Sequence, residues 1–145
     1  MEPTVVITSG YFDPIHVGHI EYLKKASELG DFLIVIVNND RQASLKKGKP
    51  FMKEEDRLEI VNALKYTHKA VLAIDEDTTV CATIESIVDF FPNTKKIIFA
   101  KGGDRHKGEI PEAKICNQLG IEIVDGLGEK IRSSSEYINN VSANK

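Results

Sequence analysis

Apolar residues fall into two alternating kinds of segment along this chain. Short, β-branched runs occur at Val5-Val6-Ile7, Leu33-Ile34-Val35-Ile36-Val37, Val71-Leu72-Ala73-Ile74, Ile97-Ile98-Phe99-Ala100 and Ile121-Glu122-Ile123-Val124. Runs that are apolar at nearly every position leave no face for solvent, so they predict parallel strands covered on both sides. Between them the spacing becomes helical. Residues 17–29 carry Ile20, Leu23, Ala26 and Leu29 on one stripe, with Gly30 as the stop. Residues 53–65 align Leu58, Val61 and Leu64, with Glu54, Glu55 and Asp56 in a first turn whose dipole favours acids. Segments 80–90 and 110–119 read as two further helices, the second ending before Gly120. Ser133-Ser134-Ser135, with Glu136 behind, reads as the start of a last one, and the polar residues after Asn140 as a frayed end.

Regular alternation of strand and helix implies an α/β protein: a Rossmann-like, doubly wound, parallel five-stranded sheet with helices on both faces and right-handed crossovers. With 145 residues and no linker, repeat or low-complexity tract, residues 1–145 are expected to form a single domain. Ligands of such sheets sit beyond the carboxyl ends of the strands, at the switch point. The loops after the first, second and fourth strands therefore matter most.

Composition narrows the partners. No apolar run approaches the ~20 residues of a membrane span, and no basic, cleavable leader precedes the first strand. A cytoplasmic protein without a membrane partner is expected. A formal net charge of −3 gives no broad field for nucleic acid. Cys81 and Cys116 read as reduced, buried or half-buried thiols. Positive charge is local: Lys46, Lys47 and Lys49 in one stretch, Lys101, Arg105 and Lys107 in another.

The first loop, Ser9-Gly10-Tyr11-Phe12-Asp13-Pro14-Ile15-His16-Val17-Gly18-His19, carries the chemistry. Gly10 lets the backbone turn or come close to a ligand. His16 and His19 are three apart, so their rings share one side of a first helical turn, and Gly18 leaves room for a bulky group there. A helix N-terminus offers backbone N–H groups and partial positive charge to phosphate, and two imidazoles add donors. A dinucleotide fingerprint does not fit, because Gly10 and Gly18 are wrongly spaced for GxGxxG. Zinc would have only Asp13 nearby as a third ligand.

His16-Val17-Gly18-His19, preceded by Gly10-Tyr11-Phe12-Asp13, is an HxGH signature that resembles the cytidylyltransferase-like nucleotidyltransferases. That family includes glycerol-3-phosphate cytidylyltransferase and the adenylyltransferase domain of ADP-heptose synthesis enzymes. The resemblance covers nearly the whole chain. It continues in Val37-Asn38-Asn39-Asp40, the lysine loop Lys46-Lys47-Gly48-Lys49-Pro50, Glu55-Asp56-Arg57, Glu76-Asp77-Thr78, Lys101-Gly102-Gly103-Asp104 and Ile131-Arg132-Ser133-Ser134-Ser135. The Lys101–Asp104 stretch is similar to the heptose branch. The cytidylyl branch's RTxG is missing before Ser133. Tyr11 stands where the glycerol-3-phosphate enzymes have a small hydroxyl residue, and Arg105 and His106 stand where the heptose branch tends to have an aromatic.

The resemblance implies transfer of a nucleoside monophosphate from ATP, or CTP, to a phosphorylated small molecule such as a sugar phosphate, with release of pyrophosphate. A glycerol-3-phosphate-type cytidylyltransferase and a non-catalytic nucleotide-binding domain are the alternatives. The acceptor's phosphate oxygen is already an anionic nucleophile, so no general base is needed. His16, His19, Lys46 and Lys47 are then the expected catalytic residues, the lysines reaching over the site on a mobile loop. Gly10, Tyr11, Phe12, Asp13, Gly18, Lys101, Gly102, Asp104, Ser133, Ser134 and Ser135 are expected at the nucleotide, and Arg57 and Asp40 at the substrate. Mg²⁺ would accompany the triphosphate, with Asp13 reaching it through water. Small relatives suggest a homodimer.

Overall fold

The computed structural model describes residues 3–91, 96–102 and 110–127, without the Lys47 side chain. Asp104, the serine run at 133–135 and the polar end lie outside the described residues. Five strands form one parallel sheet: β1 (Thr4–Gly10), β2 (Phe32–Val37), β3 (Lys69–Leu72), β4 (Lys96–Gly102) and β5 (Glu122–Leu127). Their spatial order is β3-β2-β1-β4-β5. The chain winds outward from β1 on one side, then returns to its other side with β4. The switch point therefore falls between β1 and β4.

Alternation along the buried strands divides the core into two layers. Val5, Ile7, Ile34, Ile36 and Phe99 pack with Ile84 and Ile87 of α4 (Cys81–Asp89) and Cys116 of α5 (Ala113–Leu119). On the opposite face Val6, Leu33, Val35 and Ile98 pack with Leu23 and Ala26 of α1 (Val17–Ser27) and Val61 of α3 (Glu54–Ala63). Helices thus cover both faces. A helix absent from the sequence reading, α2 (Asp40–Lys47), follows β2. Asn39 caps it by accepting from Gln42 N–H, while the Gln42 side chain accepts from Asn39 N–H. Asn39-x-x-Gln42 is a capping box, a signal present in the sequence but hidden by the lack of apolar periodicity behind it.

Three local readings need correction. β3 begins two residues before the apolar run that predicts it. Ala73 still bonds to Val37 O, but Ile74 has left the sheet, is 64% exposed and gives its N–H to Thr83 Oγ1. Ile20 is not part of a buried stripe, being 38% exposed, whereas Leu23 and Ala26 are fully buried. Gly30 does not stop α1; Glu28 caps it in an ordinary right-handed conformation. Gly30 is small for a different reason. A Cβ there would lie 2.8 Å from Thr4 O and 2.9 Å from Val6 Cγ2. Gly120, in contrast, adopts φ 72° and closes α5 as predicted.

Because the obstruction at Gly30 includes backbone, Gly30→Ala should destabilise the protein by about 1–3 kcal/mol, measured by urea unfolding.

Candidate functional site

The loop after β1 is built from the inside. Phe12 sits at φ 53°, where a bulky residue is strained, and its buried ring folds back beneath Gly10. A Cβ on Gly10 would meet that ring at 2.9 Å. Gly10 therefore makes room for Phe12, and it also lines a cavity above β1. Phe12 in turn supports the site from below, its ring edge-on to His19 at 4.9 Å between centroids. Asp13 is fully buried and accepts from Phe51 N–H at 2.9 Å and Met52 N–H at 2.5 Å. Its carboxylate ties the loop to the approach of α3.

His16 and His19 form a reciprocal cap at the start of α1. Gly18 N–H donates to His16 Nδ1 (3.0 Å), and His16 N–H donates to His19 Nδ1 (3.1 Å). The rings stack at 3.9 Å between centroids, 29° apart. An Nδ1 that accepts carries no proton, so each neutral ring holds its proton on Nε2. Of the first-turn amides, Gly18 N–H is thereby taken up by an imidazole.

Arg57 is 1% exposed, and its guanidinium is taken up within the protein. Nε donates to Met52 O (2.8 Å), Nη1 to Tyr11 O (2.8 Å) and Asn38 O (2.6 Å), and Nη2 to Asp40 Oδ1 (2.7 Å). The loops after β1 and β2 and the start of α3 meet on one cation. Arg57, expected at the substrate, is thus a buried structural cation, and Asp40 pairs with it while its side chain stays 36% exposed.

Above the crest of β1 lies a cavity of about 340 Å³ lined by Ser9, Tyr11, Asn38, Lys46, Lys101 and Glu112, among others. Lys46 belongs to the last turn of α2, not to a loop, and its Nζ lies 4.9 Å from the centre of the Tyr11 ring. Lys101 donates to Ser9 Oγ at 3.2 Å. Tyr22 of α1 donates to Ala100 O beside it, at an irregularity in the β4–β5 pairing. The Tyr22 ring packs where a Cβ on Gly102 would go, 3.2 Å away, so Gly102 serves that packing. Burial raises the Tyr11 phenol above its ordinary range; the Arg57 charge opposes this and the Glu112 carboxylate reinforces it.

Sequence reasoning missed the polar residues that fix the segments around Thr78, Val80 and Glu112, which line this cavity; His16 and His19 are not among its lining residues. Gln42 Nε2 donates to Asp77 O and Thr79 O, fixing the segment after β3 to α2. Asp75 caps α4 through the N–H groups of Ala82 and Thr83. Glu112 accepts from Val80 N–H at 3.0 Å. Asp75 and Glu112 stand outside any motif, Gln42 belongs to the α2 capping box, and only the fold supplies these distant partners. A larger hollow of about 670 Å³ along β3, lined by Phe32, Ile34, Val71, Ile87, Phe90 and Phe91 among others, has almost wholly apolar walls. It has no cluster of charged donors for a polyphosphate. Among the described residues no group of three or more His, Cys, Asp or Glu could hold a metal ion, so the zinc alternative finds no support there.

Both thiols are reduced, Cys81 half-buried and Cys116 buried. Burial, with smaller contributions from Glu112 and Cys81, pushes the Cys116 thiol up to about 12. Burial likewise raises Cys81.

Comparisons with known proteins agree with this architecture. Residues 7–140 match the family model described as Cytidylyltransferase-like. An FAD synthase of Ferroglobus placidus is 39% identical over 104 residues, covering 72% of this chain and 62% of that protein. The bifunctional protein HldE of Syntrophotalea carbinolica is 34% identical over 145 residues, covering 95% of this chain and 27% of that protein. The chain thus spans less than two thirds of the length of these relatives. A crystal structure of a lipopolysaccharide core biosynthesis protein from Thermoplasma volcanium superposes with a TM-score of 0.65 at 30% identity, covering 87% of this chain and 98% of that one.

Two measurements check the geometry. Arg57→Ala would leave three carbonyls and Asp40 without their donor, and should cost about 3–5 kcal/mol in urea unfolding. The unfolded Cys116 thiol loses its proton near 9.0 but the folded one retains it to about 12. The unfolded state therefore binds fewer protons between those values, and stability should fall as pH rises through that window. Cys116→Val should flatten the fall in the urea midpoint.

Proposed function

We propose, from the premise that the chain belongs to the cytidylyltransferase-like family, that it transfers a nucleoside monophosphate from a triphosphate to a phosphorylated small molecule. The reciprocal histidine cap carries this reading. It supplies two fixed Nε2–H donors at a positive helix end, a pair suited to the α- and β-phosphates of a nucleotide. An acceptor phosphate oxygen attacks the α-phosphorus in line, forming the new P–O bond. The bond from the α-phosphorus to the bridging oxygen breaks, and pyrophosphate leaves with its electron pair. The nucleophile is already ionised, so catalysis consists of positioning and neutralising charge.

His16 and His19 would stabilise charge on the α-phosphate and the departing oxygen. Lys46 and Lys101 at the cavity bring cations to the two reacting phosphates, with Lys47 a further candidate. Asp104 and Ser133–Ser135 remain candidates for the nucleotide. The described residues offer no carboxylate cage, so Mg²⁺ is read as part of the nucleotide substrate, held by phosphate oxygens and water. ATP is favoured over CTP by Lys101-Gly102-Gly103-Asp104 and by the missing RTxG element. Similarity to an FAD synthase supports the same choice, since FAD is a flavin mononucleotide joined to an adenylyl group. Flavin mononucleotide and sugar 1-phosphates are therefore the acceptors to test first, with glycerol 3-phosphate and CTP as the cytidylyl alternative. No described helix is long and apolar enough to cross a membrane.

Pyrophosphate release from ATP or CTP in the presence of each acceptor tests the reading; silence with every pair, alongside intact fold, would remove it. The histidines have a sharper test. Asn is a good N-cap, so His16→Asn keeps an acceptor for Gly18 N–H but loses Nε2–H. His19→Gln likewise keeps the reciprocal cap. Both should melt near wild type while kcat falls about a hundredfold or more. Near-normal turnover in either would strike that residue from the catalytic set.

A further inference from the structure

The lining of the cavity above β1 holds two polar atoms with no described use. Glu112 is 4% exposed; its Oε2 accepts from Val80 N–H, but its Oε1 is buried without a hydrogen-bond partner. The Tyr11 hydroxyl, in the same cavity, is also buried and unpartnered. Buried polar groups are nearly always paired, and a lone carboxylate oxygen is costly. Two such atoms lining one cavity indicate that a ligand completes them.

The sheet decides which substrate this is. His16 and His19 sit at the start of α1, which packs on one face together with α3. Glu112 and Val80 belong to the approaches of α5 and α4, which pack on the other face. The polyphosphate is read on the α1 side of the β1 crest, so the second substrate lies on the α4–α5 side. A carboxylate repels phosphate and accepts from O–H or N–H. Lys46 and Lys101 line the same cavity and suit the anionic end.

We propose that Glu112 Oε1, with the Tyr11 hydroxyl, recognises the neutral body of the acceptor through its O–H or N–H donors, while the acceptor's phosphate lies toward Lys46 and Lys101. The acceptor class is a phosphate ester whose body bears such donors, either sugar hydroxyls or a ring N–H. This rests on the transferase reading above. Glu112 is a specificity residue, and its role separates from its structural bond to Val80. In Glu112→Gln the amide oxygen still accepts from Val80 N–H, which turns the amide NH₂ toward the ligand and replaces an acceptor by a donor.

The experiment compares wild type, Glu112→Gln and Tyr11→Phe. Flavin mononucleotide and glucose 1-phosphate are titrated calorimetrically, as is MgATP, alongside steady-state pyrophosphate release. Expected for Glu112→Gln is an unchanged melting temperature and MgATP affinity, with acceptor affinity, and the acceptor KM, worsened roughly tenfold or more. Tyr11→Phe should show a smaller change of the same kind. Loss confined to flavin mononucleotide assigns the contact to a flavin, and loss confined to glucose 1-phosphate assigns it to sugar hydroxyls. Unchanged acceptor binding in Glu112→Gln, or a loss confined to MgATP, overturns the proposal. Absence of pyrophosphate release by wild type would count against the transferase reading alone, because the binding comparison still decides the part played by Glu112.

Discussion

A guanidinium removed from water has to find its acceptors inside the protein, and around Arg57 that requirement organises the whole crest of the sheet. Its donors reach Met52 O, Tyr11 O, Asn38 O and Asp40 Oδ1. Those atoms come from three separate connections, which parallel strands alone would leave independent. Asp13 reinforces the same junction from the other direction by accepting from Phe51 and Met52 N–H. The strained φ of Phe12 persists because the residues on both sides of it are anchored this way. With the loop fixed, the imidazoles have only one place to stand.

In the proposed reading, donors for an anionic tail stand at the start of α1, while Glu112 and the Tyr11 hydroxyl suit a neutral body. Lys46 and Lys101 line the same cavity as that carboxylate. This arrangement matches a reaction in which two phosphates must approach each other against their own repulsion. The hollow along β3 differs in kind, its walls being almost wholly apolar with Lys69 and His68 among its lining residues.

The fold was legible because parallel strands buried on both faces show continuous apolar runs, and four of the five stand where those runs are. The exception, β3, is short and at the sheet edge; Ile74 is apolar but exposed, so the run overshoots the strand. The histidine pair was legible from spacing. The roles of Arg57, Asp13 and Phe12 were not, because a motif reports that a residue type is required without saying which way its side chain faces. Burial turned all three inward. Asp75, Glu112 and the side-chain amide bonds of Gln42 were invisible for a complementary reason: each acts on a segment far along the chain or across a turn, and no local pattern encodes such partners.

One consequence concerns how the lysine helix can travel. Gln42 donates to Asp77 O and Thr79 O, and Asn39 Nδ2 donates to Ala73 O and Asp75 O. These four bonds bolt α2 to the stretch that forms the far wall of the cavity, where Thr78 and Val80 stand. Lys46 cannot swing as a unit with its helix unless that wall travels too. Delivery of positive charge and the width of the chamber are geared to a single displacement, so a poorly fitting guest that props the wall open also holds the ammonium back.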